Sequence, residues 1–451
     1  MKKFKIVFAT IFQDAGEATR ALEIAKNIKK YKPEEFDIQI IFLSRGSRFE
    51  QKAIDLGFEL YKAKPAMSGI GIYQDLKMKP GELIGEKQLA KELLSGEIEA
   101  YKELKPDLVI YGFWPVAGIA RRMMEKPIPG ICFIPLPLSE AFLKEPHDVP
   151  EQMKILYLLP AAIRRNLIKR LPIFLKQRMP LLRHRYIRNA ALKLGWHGEP
   201  LTNIICMLKA DKIIVNDLPD FYHSQNYPEN IYFSGPLFSQ STENGSIDAQ
   251  VLEVFGRNVD KPKVFCTLGS SGTKEQLLEI VRVFTDGIGL DWNAVILSPS
   301  SVCPLQEAKA LIKNRKGIYI TDQFIPARKV NSFADVVICH GGQGTVQTAM
   351  ASGTPIVGIA TQPEQQMNLE HISAFGAGIR IPCKKWTADT IRKTVLMVLT
   401  DNNYTKRARC LMERTNSTDG GGKCAHIIWE TLRSLPKTNA LQSKKNKNTH
   451  R

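Results

Sequence analysis

His340-Gly341-Gly342-Gln343-Gly344-Thr345 is the stretch that decides the reading of this chain. Asp335-Val336-Val337-Ile338-Cys339 precedes it, a short apolar run of the kind that makes a buried parallel strand. Val346 to Ser352 can continue as a helix, and Gly353 stands where a C-cap closes one. Pro355 to Ile359 reads as a second buried strand. The order is therefore strand, glycine-rich turn, helix, strand. Glycines let an anion approach the main chain, and a helix start offers N–H groups and the positive end of its dipole. The stretch predicts a diphosphate cradle at Gly342 and Gly344, with side-chain donors from His340 and Thr345. Its spacing is not Gly-x-Gly-x-x-Gly, and no Lys-Ser/Thr follows as in a nucleotide-hydrolysing P-loop. A plain tight turn beside a chance histidine would show the same letters.

The next residues separate the two readings. Gln362-Pro363-Glu364-Gln365-Gln366-Met367-Asn368 follows the second strand, at the sheet edge where open α/β folds bind ligands. Glu364 and Gln365 offer acceptors and amide donors suited to sugar hydroxyls. His-Gly-Gly-x-Gly-Thr, a small-residue helix, Gly-x-Pro, and then Glu364, Gln365 and Asn368 resemble the donor signature of the UDP-glycosyltransferase family. The resemblance implies α/β GT-B architecture: two Rossmann-like parallel-sheet domains facing across a cleft. It implies a UDP-sugar as co-substrate, no separate cofactor, and an inverting transfer of a hexose to an acceptor hydroxyl. It further implies that Ser270, in a second glycine-rich turn (Gly269 to Gly272), assists the diphosphate, and that Phe324 and Ile325 meet the base. Where the family has tryptophan and Pro-Gln, this chain has Pro326-Ala327, and Gln347 and Thr348 stand where many members place an acid for the ribose.

The catalytic base is a second departure. The family carries Gly-His at the start of the first helix, and this chain has Gly16-Glu17. A carboxylate of suitable pKa can act as a general base, and Asp14 three residues earlier is a second candidate. Glu17 at a first helical turn also simply favours the helix dipole. Two rival functions follow on the same fold: a nucleotide-sugar epimerase, and a non-catalytic nucleotide-sugar-binding protein.

Composition bounds the rest. At 451 residues the chain is long for one core, and its 44% hydrophobic and 24% charged content is that of a globular protein. Apolar and helical stretches alternate in both halves, which implies parallel sheets. The expected division is an acceptor domain over 1–238, a linker region over 239–260, a nucleotide-sugar domain over 261–435 and a basic disordered tail over 436–451. Eight cysteines lie scattered, with no Cys-x-x-Cys pair, and no Asp-x-Asp occurs, so neither a structural metal nor an obligatory divalent cation is expected. Scattered reduced cysteines fit a cytoplasmic protein. A formal net charge of +18 comes with no nucleic-acid motif. Basic residues gather instead between Arg164 and Lys193, interleaved with Leu, Ile, Phe and Tyr. They read either as solvated helix faces or as a peripheral contact with an anionic membrane, which would suit a small hydrophobic or lipid acceptor.

Overall fold

The computed structural model describes residues 2–47, 49–79, 81–145, 147–222, 227–237, 246–256, 260–269, 271–313, 315–323 and 325–435. Leu108–Tyr111 and Gly130–Ile134 are buried at every position, as strands covered on both faces must be. They are β4 and β5 of a first sheet that also holds β1 (Lys2–Phe8), β2 (Phe36–Ser44), β3 (Glu59–Lys62), β6 (Lys212–Val215) and β7 (Ile231–Phe233). A second sheet holds β8 (Lys263–Thr267), β9 (Asn293–Leu297), β10 (Ile318–Thr321), β11 (Val336–Cys339), β12 (Ile356–Gly358) and β13 (Gly378–Arg380). Spatial orders are β3-β2-β1-β4-β5-β6-β7 and β10-β9-β8-β11-β12-β13, and the pairings are parallel, with Ile6 opposite both Ile40 and Leu108. The chain thus has GT-B architecture. Each sheet reverses its strand order once, between β1 and β4 and between β8 and β11. Those two reversals open the crevices where parallel sheets take ligands.

Apolar clusters cover both faces of each sheet. The cluster around Phe265, Val337 and Met350 also takes in Leu136, Phe142, Leu218 and Phe221 from the first half, so one core crosses between the domains. The last helix, Gly420–Ser434, returns to the first domain and buries Cys424, Ile428 and Leu432 with Ile24 and Ile28. Trp429 stacks on Phe36 at 5.6 Å, and its indole N–H donates to the Ile28 carbonyl at 3.2 Å.

Two strands lie outside the sequence reading. β3 (Glu-Leu-Tyr-Lys) and β13 (Gly-Ile-Arg) are edge strands with few fully buried positions, so neither carries a continuous apolar run. The stretch expected as linker also contains a helix, Ala249–Gly256, whose Val251 and Phe255 are buried in the second domain's core. The expected tail, 436–451, lies outside the described residues.

Candidate active site

The glycine-rich turn joins β11 to the helix Gln343–Ser352 at the second sheet's reversal point. Gly353 closes that helix in the left-handed conformation, at φ 69°. At its other end Gly342 is the N-cap and brings no capping side chain of its own. The Glu364 carboxylate accepts from the Gln343 backbone N–H, and the next donors of the first turn are those of Gly344 and Thr345. Gly344 is exposed, and a Cβ placed on it would meet nothing within 4 Å, so the helix start opens onto free space. Thr345 stands half-buried beside it.

His340 follows the last residue of β11 and is 6% exposed. Its ring fits because two neighbours lack side chains: a Cβ on Gly342 would fall 2.3 Å from Nε2, and one on Gly269 2.7 Å from Cε1. Nδ1 is buried without a hydrogen-bond partner in the protein. Burial pushes the imidazole pKa down to about 4, only partly offset by the Thr267 backbone, so the ring is neutral near neutral pH. A neutral imidazole facing a helix start is a hydrogen-bond donor to an anion, not a counter-ion.

The helix Pro363–Phe375 follows β12 at the same edge. Asn368 holds it to the glycine turn, donating to the Gly341 carbonyl at 2.9 Å and to Glu364 Oε1 at 3.0 Å. Desolvation raises the Glu364 pKa against the opposing pull of Arg20. Gln365 is 2% exposed, and its carbonyl accepts from Thr361 N at 2.9 Å and Thr361 Oγ1 at 2.8 Å. Its amide reaches Ser271 Oγ at 3.3 Å, the longest of its contacts. Ile325, expected to meet the base, is 4% exposed and its side chain belongs to the apolar core. Ser270 and Phe324 lie outside the described residues.

On the opposing domain the two candidate bases differ sharply. Glu17 sits at the first sheet's reversal point, 3% exposed, accepting from Ile11 N at 2.7 Å and Phe113 N at 3.0 Å. It therefore ties the loop after β1 to the loop after β4. Burial pushes its pKa up to about 7, with the two backbone donors opposing the shift. Gly112 is required beside it, since a Cβ there would lie 2.4 Å from the carboxyl carbon. Asp14 is the half-buried N-cap of the helix Ala15–Lys30, accepting from Glu17 N at 2.8 Å, and its charge raises the pKa of Glu364 across the cleft.

Sequence reasoning missed the groups that join the halves. Arg20 Nη1 donates to Gln343 Oε1 at 2.9 Å. The amides of Gln343 and Gln347 both donate to the Asn216 carbonyl, at 3.0 and 2.7 Å. Gln347, at the ribose position of the resemblance, is thus 1% exposed and serves this clasp. The spacing of Asp14, Glu17 and Arg20, three apart at a helix start, was the only local signal of a shared face. Among the described residues no group of His, Cys, Asp and Glu could hold a metal ion.

Known proteins resemble this chain in sequence and fold. The family model described as erythromycin biosynthesis protein CIII-like, C-terminal domain, matches residues 306–426. A PGL/p-HBAD biosynthesis glycosyltransferase of Mycobacterium tuberculosis is 24% identical over 348 residues, 75% of this chain and 73% of that protein. Among solved structures, the calicheamicin glycosyltransferase CalG4 superposes with a TM-score of 0.67 at 18% identity, over 96% of this chain and 100% of that one. The spinosyn rhamnosyltransferase SpnG complexed with thymidine diphosphate gives 0.57 at 14% identity, over 95% and 100%.

Proposed function

With the chain a glycosyltransferase of the GT-B type, we propose that it moves a hexose from a UDP-sugar to a hydroxyl of a small hydrophobic or lipid acceptor, with inversion. One observation carries the proposal: a buried imidazole with an unpartnered nitrogen packs against the glycine N-cap of a helix whose start opens onto free space at Gly344, at a sheet reversal point. The diphosphate would take the main-chain donors at Gly344 and Thr345, the Thr345 hydroxyl and the His340 N–H. These groups are fixed before the reaction, so charge gathering on the leaving diphosphate meets donors that need no reorganisation. Glu364 and Gln365 would hold the hexose. Attack by the acceptor oxygen on the anomeric carbon, from the side opposite the diphosphate, breaks the bond to the leaving oxygen and inverts the centre.

The acceptor's proton needs a base on the first domain. Asp14 has the access, being half-buried and within electrostatic reach of Glu364. Glu17 has the basicity, but both its oxygens are held by backbone N–H groups. We therefore assign proton transfer to Asp14 and a bracing role to Glu17. Eight unpaired cysteines support a cytoplasmic setting.

The test is mass spectrometry of products from the full chain with labelled UDP- and dTDP-sugars and a pool of lipid, sterol and small aromatic acceptors. A UDP-dependent mass gain of one hexose is expected. Gain only with dTDP-sugars would overturn the uridine assignment, which is a live comparison because SpnG was solved with thymidine diphosphate. Free sugar and nucleotide released without acceptor would favour the epimerase. Tight donor binding with no transfer would favour the binding protein.

A further inference from the structure

After Asp148 the chain leaves the first sheet and builds an arm from a 3-10 turn (Leu156–Leu158) and the helices Ala161–Arg170 and Ile173–Gln177. Its inner side is firmly bound. Arg164 Nε and Nη2 donate to the two Asp148 oxygens at 3.0 and 2.7 Å, and Lys176 Nζ donates to the Leu143 carbonyl at 2.7 Å. Glu151 pairs with Arg380 of β13, and the Gln366 amide donates to the Val149 carbonyl at 2.9 Å. The arm is thus rooted on the helix that carries Glu364 and Gln365.

Its outer side has the opposite character. Ile155 is 82% exposed, Leu158 76%, Phe174 55% and Ile163 53%, with Leu159, Leu167 and Leu175 also exposed. Of 17 large apolar side chains exposed among the described residues, these seven fall within residues 155–175. Single exposed apolar residues are ordinary, and a cluster of this density marks an interaction surface. The charge along this stretch of the chain has one sign. From Gln152 to Gly198 there is no Asp or Glu against 11 Lys and Arg. Lys154, Arg165, Lys169, Arg170 and Arg178 are exposed within the apolar set.

We propose that residues 154–178 form a docking surface for an anionic lipid bilayer. Apolar side chains that enter the acyl boundary, with cations at headgroup level, are what such an interface takes. A second copy of the chain is a poor occupant, because a two-fold contact would set this acid-free basic surface against itself. The membrane contact is read from exposure and charge alone and stands whether or not the transfer reaction does. Because the arm is rooted beside the donor-site helix, with Gln152 Nε2 donating to the Thr361 carbonyl at 2.8 Å, a bilayer beneath it lies next to that helix.

Flotation of the full chain with phosphatidylcholine vesicles, with and without phosphatidylglycerol, tests this. Binding should rise about tenfold or more with the anionic lipid and fall with added salt. The double variants Leu158→Ser/Phe174→Ser and Lys169→Glu/Arg170→Glu should each lose about tenfold, with unchanged melting temperature and unchanged transfer to a soluble acceptor. A chain ending at Leu435 should keep its binding. Absence of lipid preference, binding that survives both double variants, or loss only on removal of residues 436–451 would overturn the assignment. So would light scattering that shows a lipid-free dimer which these variants dissociate.

Discussion

Glu17→Gln isolates the cost of a carboxylate buried at the first sheet's reversal point. The folded-state pKa of about 7 stands well above the ordinary 4.5, so the folded chain holds this proton more tightly than the unfolded chain. Below about pH 4.5 both states are protonated, and the contribution to stability is whole. As pH rises toward 7 the unfolded chain releases its proton first, and stability falls until the folded carboxyl ionises as well. At about 1.4 kcal/mol per pH unit, the loss amounts to roughly 2–3 kcal/mol between about pH 5 and pH 8. Glutamine does not titrate, so it removes this slope. It also presents one carbonyl to two donors, Ile11 N and Phe113 N, and leaving one unmet costs about 1–3 kcal/mol at every pH. The variant should therefore be clearly less stable than the parent near pH 5, with the gap closing by about 2–3 kcal/mol near pH 8. Paired urea titrations at the two pH values read this difference, and other titrating groups cancel in it. A gap that stays constant would refute the buried-carboxylate account. Turnover measured on the same samples separates the roles: a bracing Glu17 leaves kcat within about tenfold, whereas Asp14→Asn, at the assigned base, should cost about 10²-fold or more.

Other outcomes follow from the same geometry. His340→Ala should lower kcat/KM by about 10²-fold through loss of one fixed donor to the leaving group, and unchanged turnover would remove His340 from the mechanism. The His340 ring should titrate near 4 in NMR of the free chain and at higher pH with UDP bound, because a phosphate beside it favours the charged form. Gly344→Asp should keep the fold, since nothing obstructs a Cβ there, while its carboxylate competes with the diphosphate and weakens UDP binding about tenfold or more in calorimetry. Trp429→Ala should cost about 3–5 kcal/mol in denaturant unfolding, because the indole fills the seam between the last helix and the first domain.

What the chain determines locally was legible in its letters. β11, the turn from His340 to Gly344, the following helix and its Gly353 C-cap are set by neighbours within a few residues, where apolar runs, glycines and helix ends act directly. The sheet-edge position of Glu364 follows from the same short-range order. Tertiary structure decided the rest. The edge strands β3 and β13 exist because a neighbour offers its free backbone, and their own sequences carry no continuous apolar signal. Whether Glu17 meets solvent or two buried N–H groups depends on the loop after β4, nearly a hundred residues away. Gln347 became a clasp on Asn216 through a domain contact that no spacing along the chain announces. Which side of the basic arm faces protein was set by Asp148, which pairs with Arg164, and by Arg380, which pairs with Glu151 at the arm's root, since a charged helix turns inward only the face whose charges find partners.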